Sequence, residues 1–377
     1  MSAPSLSDLN AELASVSRVF PLQGSFRHGA PYGSGHINDT YVVRFDQDGA
    51  PVRYILQRIN HRIFKDVPCL MENIRRVTSH LAAKAAADGG ADSSRRVLRL
   101  IPTRDGCPFH EDGRGAFWRC YLFVEQARTY DLIENPRHAF EAARAFGEFQ
   151  RLLVDLPDPR LRETIPDFHN TRSRFETLRR VAREDPRGRA ASARAELAFA
   201  FERESIVDRL LDLQKRGEIP ERITHNDTKL NNVLLDDITQ EAVCVIDLDT
   251  VMPGLALYDF GDMVRSATNS AREDERDLCL VTMRMPIFEA LVGGYLASAG
   301  SFLVPAERAN LVFSGRLITF EIGLRFLTDY LEGDVYFKTR REGQNLDRCR
   351  NQFALVHSIE VQESAMQAVV DAAQPAS

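Results

Sequence analysis

At about Gln126 the texture of this 377-residue chain changes, and that change constrains the fold more than any other feature. Before it, short runs rich in β-branched and aromatic residues recur: SFRHG from Ser25, TYVVRF from Thr40, RYILQRI from Arg53, RRVLRLIPT from Arg95 and AFWRCYLFVEQ from Ala116. Clusters of Gly, Pro, Asn and Asp bound them, as turn residues bound strands. One helix interrupts the series, VPCLMENIRRVTSHLAAKAAA, in which Leu70, Ile74, Val77 and Leu81 recur at helical spacing until DGGADSS ends it. After Gln126 come long helical patterns such as HAFEAARAFGEFQRLL, broken by two short strands, NVLLDD and EAVCVID. The expectation is an α+β protein of two lobes. Residues 1–126 form a small β-rich lobe and residues 127–377 a larger helical one.

A hydrophobic content of 44% is enough for a substantial core in each lobe. The net charge of -6, with basic residues scattered among acidic ones, forms no cationic stripe able to neutralise a phosphate backbone, so nucleic acid is not an expected partner. Cys69, Cys107, Cys120, Cys244, Cys279 and Cys349 are widely spaced, form no CxxC pair and read as free thiols of a reducing compartment. The N-terminus has no basic segment followed by an apolar run, and no stretch is long and apolar enough to span a bilayer. The expected setting is the cytoplasm, away from membranes, with the chain a monomer. The last residues, DAAQPAS, read as disordered.

The chemistry is concentrated in ITHNDTKLNNVLLDDITQEAVCVIDLDT, where acidic and amide groups stand at both ends of a hairpin pattern. If Val233 pairs with Ile246, Asn232 lies opposite Asp247, and opposed residues in an antiparallel ladder are about 4.5–5.5 Å apart at Cα. An amide oxygen and a carboxylate at that separation suit one hard cation such as Mg²⁺, which takes a few protein oxygens and completes its shell with water and phosphates. Asp227, five residues before Asn232, is placed to accept a proton from an attacking hydroxyl. One base and two metal ligands are a sufficient protein contribution to phosphoryl transfer, where most of the work is positioning and charge neutralisation. Each residue alone reads as a loop cap or strand end. Together they point to a kinase.

His225, Asp227 and Asn232 match the H-x-D-x-x-x-x-N catalytic loop of the aminoglycoside phosphotransferase and choline kinase-like superfamily, and Asp247 in VIDLD stands where the DFG aspartate of protein kinases stands. Over nearly its whole length the chain resembles the N-acetylhexosamine 1-kinases within that superfamily. YGSGHINDTY, RYILQRIN, THNDTKLNNVLL, IDLDTVMPG, YDFGD and RFLTDYLEGDVYF carry the resemblance. It implies a protein-kinase-like two-lobed fold, with ATP and Mg²⁺ as cofactors. The implied reaction moves the γ-phosphate to the anomeric hydroxyl of N-acetylglucosamine or N-acetylgalactosamine, giving a sugar 1-phosphate and ADP. Asp227 would touch that hydroxyl. Arg325 and Tyr336 would contact the sugar, and His36 would reach the sugar or the γ-phosphate.

Gly33 and Gly35 in YGSGHIND would let backbone amides approach the phosphates, although the full G-x-G-x-x-G pattern is absent. FVEQ would read the adenine edge through the main chain of Val124, Glu125 and Gln126. A protein kinase carries a phosphate-binding Lys on its third strand. Here that strand offers Gln57 and Arg58, which alternation turns to opposite faces; the resemblance aligns Gln57 with the Lys. Glu72 reads as a surface residue and His225 as a structural histidine. Asp259 and Asp262 read as supports of the catalytic loop or caps of the helix, and Asp249 lies near a second metal position. An ion pair of Arg325 with Asp329 is the alternative to a sugar contact. Two rival readings stay open: the same reaction on choline, an aminoglycoside or another alcohol, and a pseudokinase that binds nucleotide without transfer.

Overall fold

The computed structural model describes residues 6–33, 37–87, 89, 95–130, 133 and 135–373. In chain order the elements are α1 (Leu6–Ser17), β1 (Ser25–Pro31), β2 (Asp39–Gln47), β3 (Ala50–Ile59), α2 (Val67–Ala87), β4 (Leu100–Ile101), β5 (His110–Glu111), β6 (Phe117–Leu122) and β7 (Ala127–Arg128). There follow α3 (Pro136–Leu153), α4 (Thr171–Glu184), α5 (Arg194–Glu202), α6 (Arg209–Lys215), β8 (Arg222–Thr224), β9 (Val233–Asp236), β10 (Ala242–Val245) and β11 (Met252–Gly254). Last come α7 (Ala256–Thr268), α8 (Met285–Ala299), α9 (Pro305–Ala309), α10 (Leu311–Glu332) and α11 (Gln344–Ala372). They gather into two units. The first comprises Met1–Ala127, Leu156–Ile165 and Cys244–Asp249, and the second Arg128–Asp155, Pro166–Val243 and Thr250–Ser377.

The first unit is built on an antiparallel sheet in the order β1-β2-β3-β6-β4, with β5 also on β6. Its central hairpin turns on Asp48 and Gly49, both at positive φ (54° and 85°), the two-residue geometry whose twist matches the flanking strands. That turn sets Gln47 against Ala50 and, through the ladder, Thr40 against Gln57; the next ladder sets Gln57 against Arg119. Alternation then sorts the side chains. Leu56, Trp118 and Cys120 join Leu9, Leu13 and Val16 of α1 in an apolar core, while Gln57 and Arg119 face the other way.

Helix α1 was not foreseen: Leu9, Leu13 and Val16 form a single short apolar stripe in a segment otherwise read only for a targeting signal. Helix α2 buries the expected Leu70, Ile74, Val77 and Leu81. The strand expected over RRVLRLIPT contracts to Leu100–Ile101, which pair with Tyr121 and Cys120 of β6, the Arg99 carbonyl just before them accepting the Leu122 N–H at 3.0 Å. All six cysteines are free thiols. Among the described residues no helix is long and apolar enough to cross a membrane.

The second unit is helical. α3 packs on α8, and α10 lies against α4, α7 and α11, buried on nearly all sides. Helices α7 and α10 approach through glycines. A Cβ on Gly261 would lie 2.5 Å from the Ser314 carbonyl oxygen, and one on Gly315 would lie 2.7 Å from Val264 Cγ1. We therefore expect Gly261→Ala to force the helices apart at a cost of about 1–3 kcal/mol, read as a lower urea midpoint. A midpoint equal to the wild type would show that the contact yields freely.

Candidate active site

In the second unit, the loop that leaves β8 carries the residues expected to do the chemistry. β8 pairs antiparallel with β11, Thr224 opposite Met252. Directly after it, Asn226 takes a left-handed conformation (φ 64°), uncommon for a non-glycine residue but one that asparagine tolerates. Asp259 in the first turn of α7 accepts the backbone N–H groups of His225 (2.9 Å) and Asn226 (2.7 Å) and the side-chain amide of Gln150 (2.7 Å). One turn on, Asp262 accepts the N–H of Thr228 at 2.9 Å and pairs with Arg265 at 2.7 Å. Acids three apart on a helix share a face, so YDFGD presents both carboxylates to one loop. The supporting role expected for Asp259 and Asp262 is what the contacts show. Burial pushes the Asp259 carboxyl up, while His225 and the N–H donors oppose it.

Asp227 sits at the tip of this loop with its side chain 27% exposed. Lys229 Nζ lies 2.8 Å from its Oδ1, and the Asn232 amide nitrogen donates to its Oδ2 at 3.0 Å and its carbonyl oxygen at 2.8 Å. Burial works to raise the Asp227 carboxyl, but Lys229, His225 and Arg265 outweigh it, and the group is held down at about 2. It is a carboxylate at any physiological pH. Asn232 turns its nitrogen to Asp227, which leaves its oxygen, the atom a hard cation takes, with no protein donor among the described residues. His225 is buried between Phe146 and Phe149, its Nδ1 facing the Asp227 N–H at 3.3 Å, as a structural histidine would be.

The first unit holds a separate network around a charge that the sequence reading missed. Arg119 is buried with both terminal nitrogens on the Asp249 carboxylate and Nε on Gln57 Oε1 at 2.9 Å. Burial acts to lower the Arg119 pKa, yet Asp249 reverses this and raises it. Gln57 completes its bonding by donating to Thr40 Oγ1 at 2.9 Å. Asn38 donates to Asp249 Oδ2 at 2.5 Å and accepts the N–H of Asn60 at 2.9 Å. The third-strand position that lacks a lysine is therefore next to an arginine delivered from β6. Arg58, on the opposite face, pairs with Asp39 at 2.8 Å. Asp247, two residues before Asp249, adopts φ 60°.

Gly33 has φ 81° and open space where a Cβ would stand, whereas Gly35 and His36 lie outside the described residues. The carbonyls of Glu125 and Gln126 accept from Arg95 at 3.1 and 2.9 Å, and the Glu125 side chain pairs with Arg53; Val124 lies just before them. Glu72 is on the surface with Arg75.

On the second unit, Arg325 does not pair with Asp329. The Asp329 carboxylate instead accepts the N–H groups of Val335 (2.8 Å), Tyr336 (2.7 Å) and Phe337 (2.9 Å), together with the Asn345 amide (2.8 Å). That folds the turn after α10 back on the helix. It brings Tyr336 and Phe337 beside Arg325, whose Cζ is 5.1, 5.7 and 5.5 Å from the ring centres of Phe168, Tyr336 and Phe337. No carboxylate is within ion-pair distance of Arg325 among the described residues. Arg174, which donates to the Phe168 carbonyl at 3.1 Å, is held below its ordinary pKa by burial and by Arg325.

A strand-rich unit with one helix after its third strand, and a helical unit whose β8 loop carries a carboxylate bonded to an asparagine amide, fit the kinase-like phosphotransferase class. Residues 28–284 match the model of the phosphotransferase enzyme family, and the chain belongs to that family. Solved structures of similar fold include an aminoglycoside phosphotransferase from Alicyclobacillus acidocaldarius (14% identity, 98% of each chain, TM-score 0.53). Another is choline kinase from Cryptosporidium parvum (14% identity, 96% of this chain and 97% of that one, TM-score 0.54). A third is a spectinomycin phosphotransferase solved with ADP and spectinomycin (13% identity, 95% and 98%, TM-score 0.52). At such identities the likeness is one of fold.

Proposed function

We propose that the chain transfers the γ-phosphate of ATP to the anomeric hydroxyl of an N-acetylhexosamine, acting as a monomer in the cytoplasm. Asp227 orients and deprotonates the hydroxyl. Asn232 and Asp247 would hold Mg²⁺, which would neutralise phosphate charge; the amide oxygen of Asn232, with no protein donor among the described residues, fits that role. Gly33 and Gly35 cover the phosphates, and the main chain at Val124 and Gln126 takes the base. Gln57 stands in the place of the phosphate-binding lysine, where it also links Thr40 to Arg119. Arg325, Tyr336 and His36 receive the sugar.

The observation that carries the choice of acceptor is the state of Arg325. Its guanidinium fork is packed on aromatic rings and, among the described residues, has no carboxylate within ion-pair distance, so it offers donors to hydroxyl or acetamide oxygens. The acids that left a cationic acceptor open are mostly engaged: Asp329 binds the turn, and Asp334 binds Arg189 at 2.6 Å and Asn345 at 2.9 Å. A choline or aminoglycoside site needs free carboxylates or an aromatic cage without a resident cation.

ADP release in Mg·ATP with N-acetylglucosamine, N-acetylgalactosamine, glucose, choline or kanamycin tests this, with the product mapped by phosphorus NMR. Turnover on the two N-acetylhexosamines with phosphate on the anomeric oxygen is expected. Turnover confined to choline or kanamycin discards the acceptor assignment, and none at all favours a nucleotide-binding regulator. Arg325→Met should raise the acceptor KM about 10–100-fold, the loss of a charged hydrogen bond, and leave the KM for ATP unchanged; an unaltered acceptor KM removes Arg325 from the site.

A further inference from the structure

The peptide unit that joins Asn226 to Asp227 is gripped at both ends by histidines. Its N–H points to His225 Nδ1, as described, and its carbonyl oxygen lies 3.1 Å from His169 Nε2. His169 precedes α4 and comes from a part of the chain with no motif. Its other nitrogen, Nδ1, lies 2.8 Å from Glu321 Oε1 on α10, and Glu321 Oε2 accepts the hydroxyl of Thr171 at 2.5 Å. His169, Asn226 and Glu321 are all buried.

We propose that His169 is a positioning residue for phosphoryl transfer, clamping the Asn226–Asp227 peptide so that the Asp227 carboxylate is held in line for the acceptor hydroxyl. This rests on Asp227 being the base.

A carbonyl oxygen only accepts, so Nε2 carries a hydrogen and donates to Asn226, while Nδ1 faces the Glu321 carboxylate. Burial opposes a charged ring, but Glu321 outweighs it and the His169 pKa rises. Burial likewise pushes the Glu321 carboxyl up, and His169 brings it lower than usual. The other groups around the ring are Phe168, Tyr258 (5.2 Å between ring centres) and, at longer range, the Asp262 carboxylate. Such a clamp has a clear use. The Asn226–Asp227 peptide is the backbone that carries the Asp227 side chain, so a turn of this peptide would move the carboxylate with it. Glu321 stands one turn before Arg325, and the Phe168 ring under Arg325 is the neighbour of His169. The same pair therefore ties the proposed acceptor residues to the base.

The test is His169→Gln, which keeps a polar side chain but loses the charge, beside His169→Gln/Glu321→Gln, which also removes the stranded carboxylate. The single variant should lose about 10–100-fold in kcat, the effect of misplacing a reacting group by about 1 Å, with KM for ATP within about twofold of wild type. The double variant should regain Tm without regaining kcat. Hydrogen exchange of the peptide spanning 222–230, compared at equal distance below each Tm, should be faster in both. A kcat that returns with Tm, or exchange equal to wild type, would overturn the clamp. If the wild-type chain transfers phosphate to no acceptor, the kinase reading falls, and exchange, which needs no turnover, then decides the clamp alone.

Discussion

Asp227→Asn lowers kcat by about 10²–10⁴-fold, the usual contribution of a general base, while the KM for ATP stays near that of the wild type. The asparagine retains the size of the side chain and its contact with Asn232, but it accepts no proton and gives Lys229 no charge to pair with. Turnover within a few-fold of wild type would remove Asp227 from the chemistry. The pH dependence carries a second signature. The folded carboxyl lies at about 2, below its ordinary 3.8, so the stability this group adds is complete above about pH 4 and is lost as the pH falls through about 2. The acid limb of kcat/KM is thus not set by Asp227 at mild pH. In Lys229→Met the main force lowering that pKa is gone, so the Asp227 carboxyl, titrated by carbon NMR, should ionise at a higher pH than in the wild type; an unmoved titration would show that Lys229 does not hold it down.

Arg119→Met should cost about 3–5 kcal/mol in unfolding free energy, because it leaves the Asp249 carboxylate buried without its cation. Gln57 Oε1 loses its donor at the same time. Urea unfolding of Arg119→Met and Arg119→Met/Asp249→Asn separates the causes. The double variant should recover a large part of the loss, since the stranded charge is gone. Equal stability of the two variants would mean that the arginine matters for packing alone. A loss under about 1 kcal/mol, the scale of an exposed ion pair, would contradict the buried geometry.

Much was legible because it is local. Asp48–Gly49 is a local turn signal, and the hairpin it closes has Thr40 opposite Gln57. The stripe of α2 repeats at helical spacing. Asp259 and Asp262 are three apart and act on one short loop. The alternative ion pair of Arg325 with Asp329 is not formed, for a physical reason that spacing does not carry. Three backbone N–H groups of a turn that ends the helix were left without acceptors, and Asp329 was the acid within reach. The extent of β4 likewise depended on which residues found a partner strand.

By itself the sequence determined the order of elements and the identity of the groups in H-N-D-T-K-L-N-N, because hydrophobic period, turn chemistry and motif spacing act over a few residues. The tertiary structure alone decided which distant side chain completes each of them. Arg119 meets Asp249 across 130 positions and His169 meets Glu321 across 152. Neither pair has a local pattern. Each exists because a charge or polar group removed from water must find its complement wherever packing brings one, and packing is a property of the whole fold.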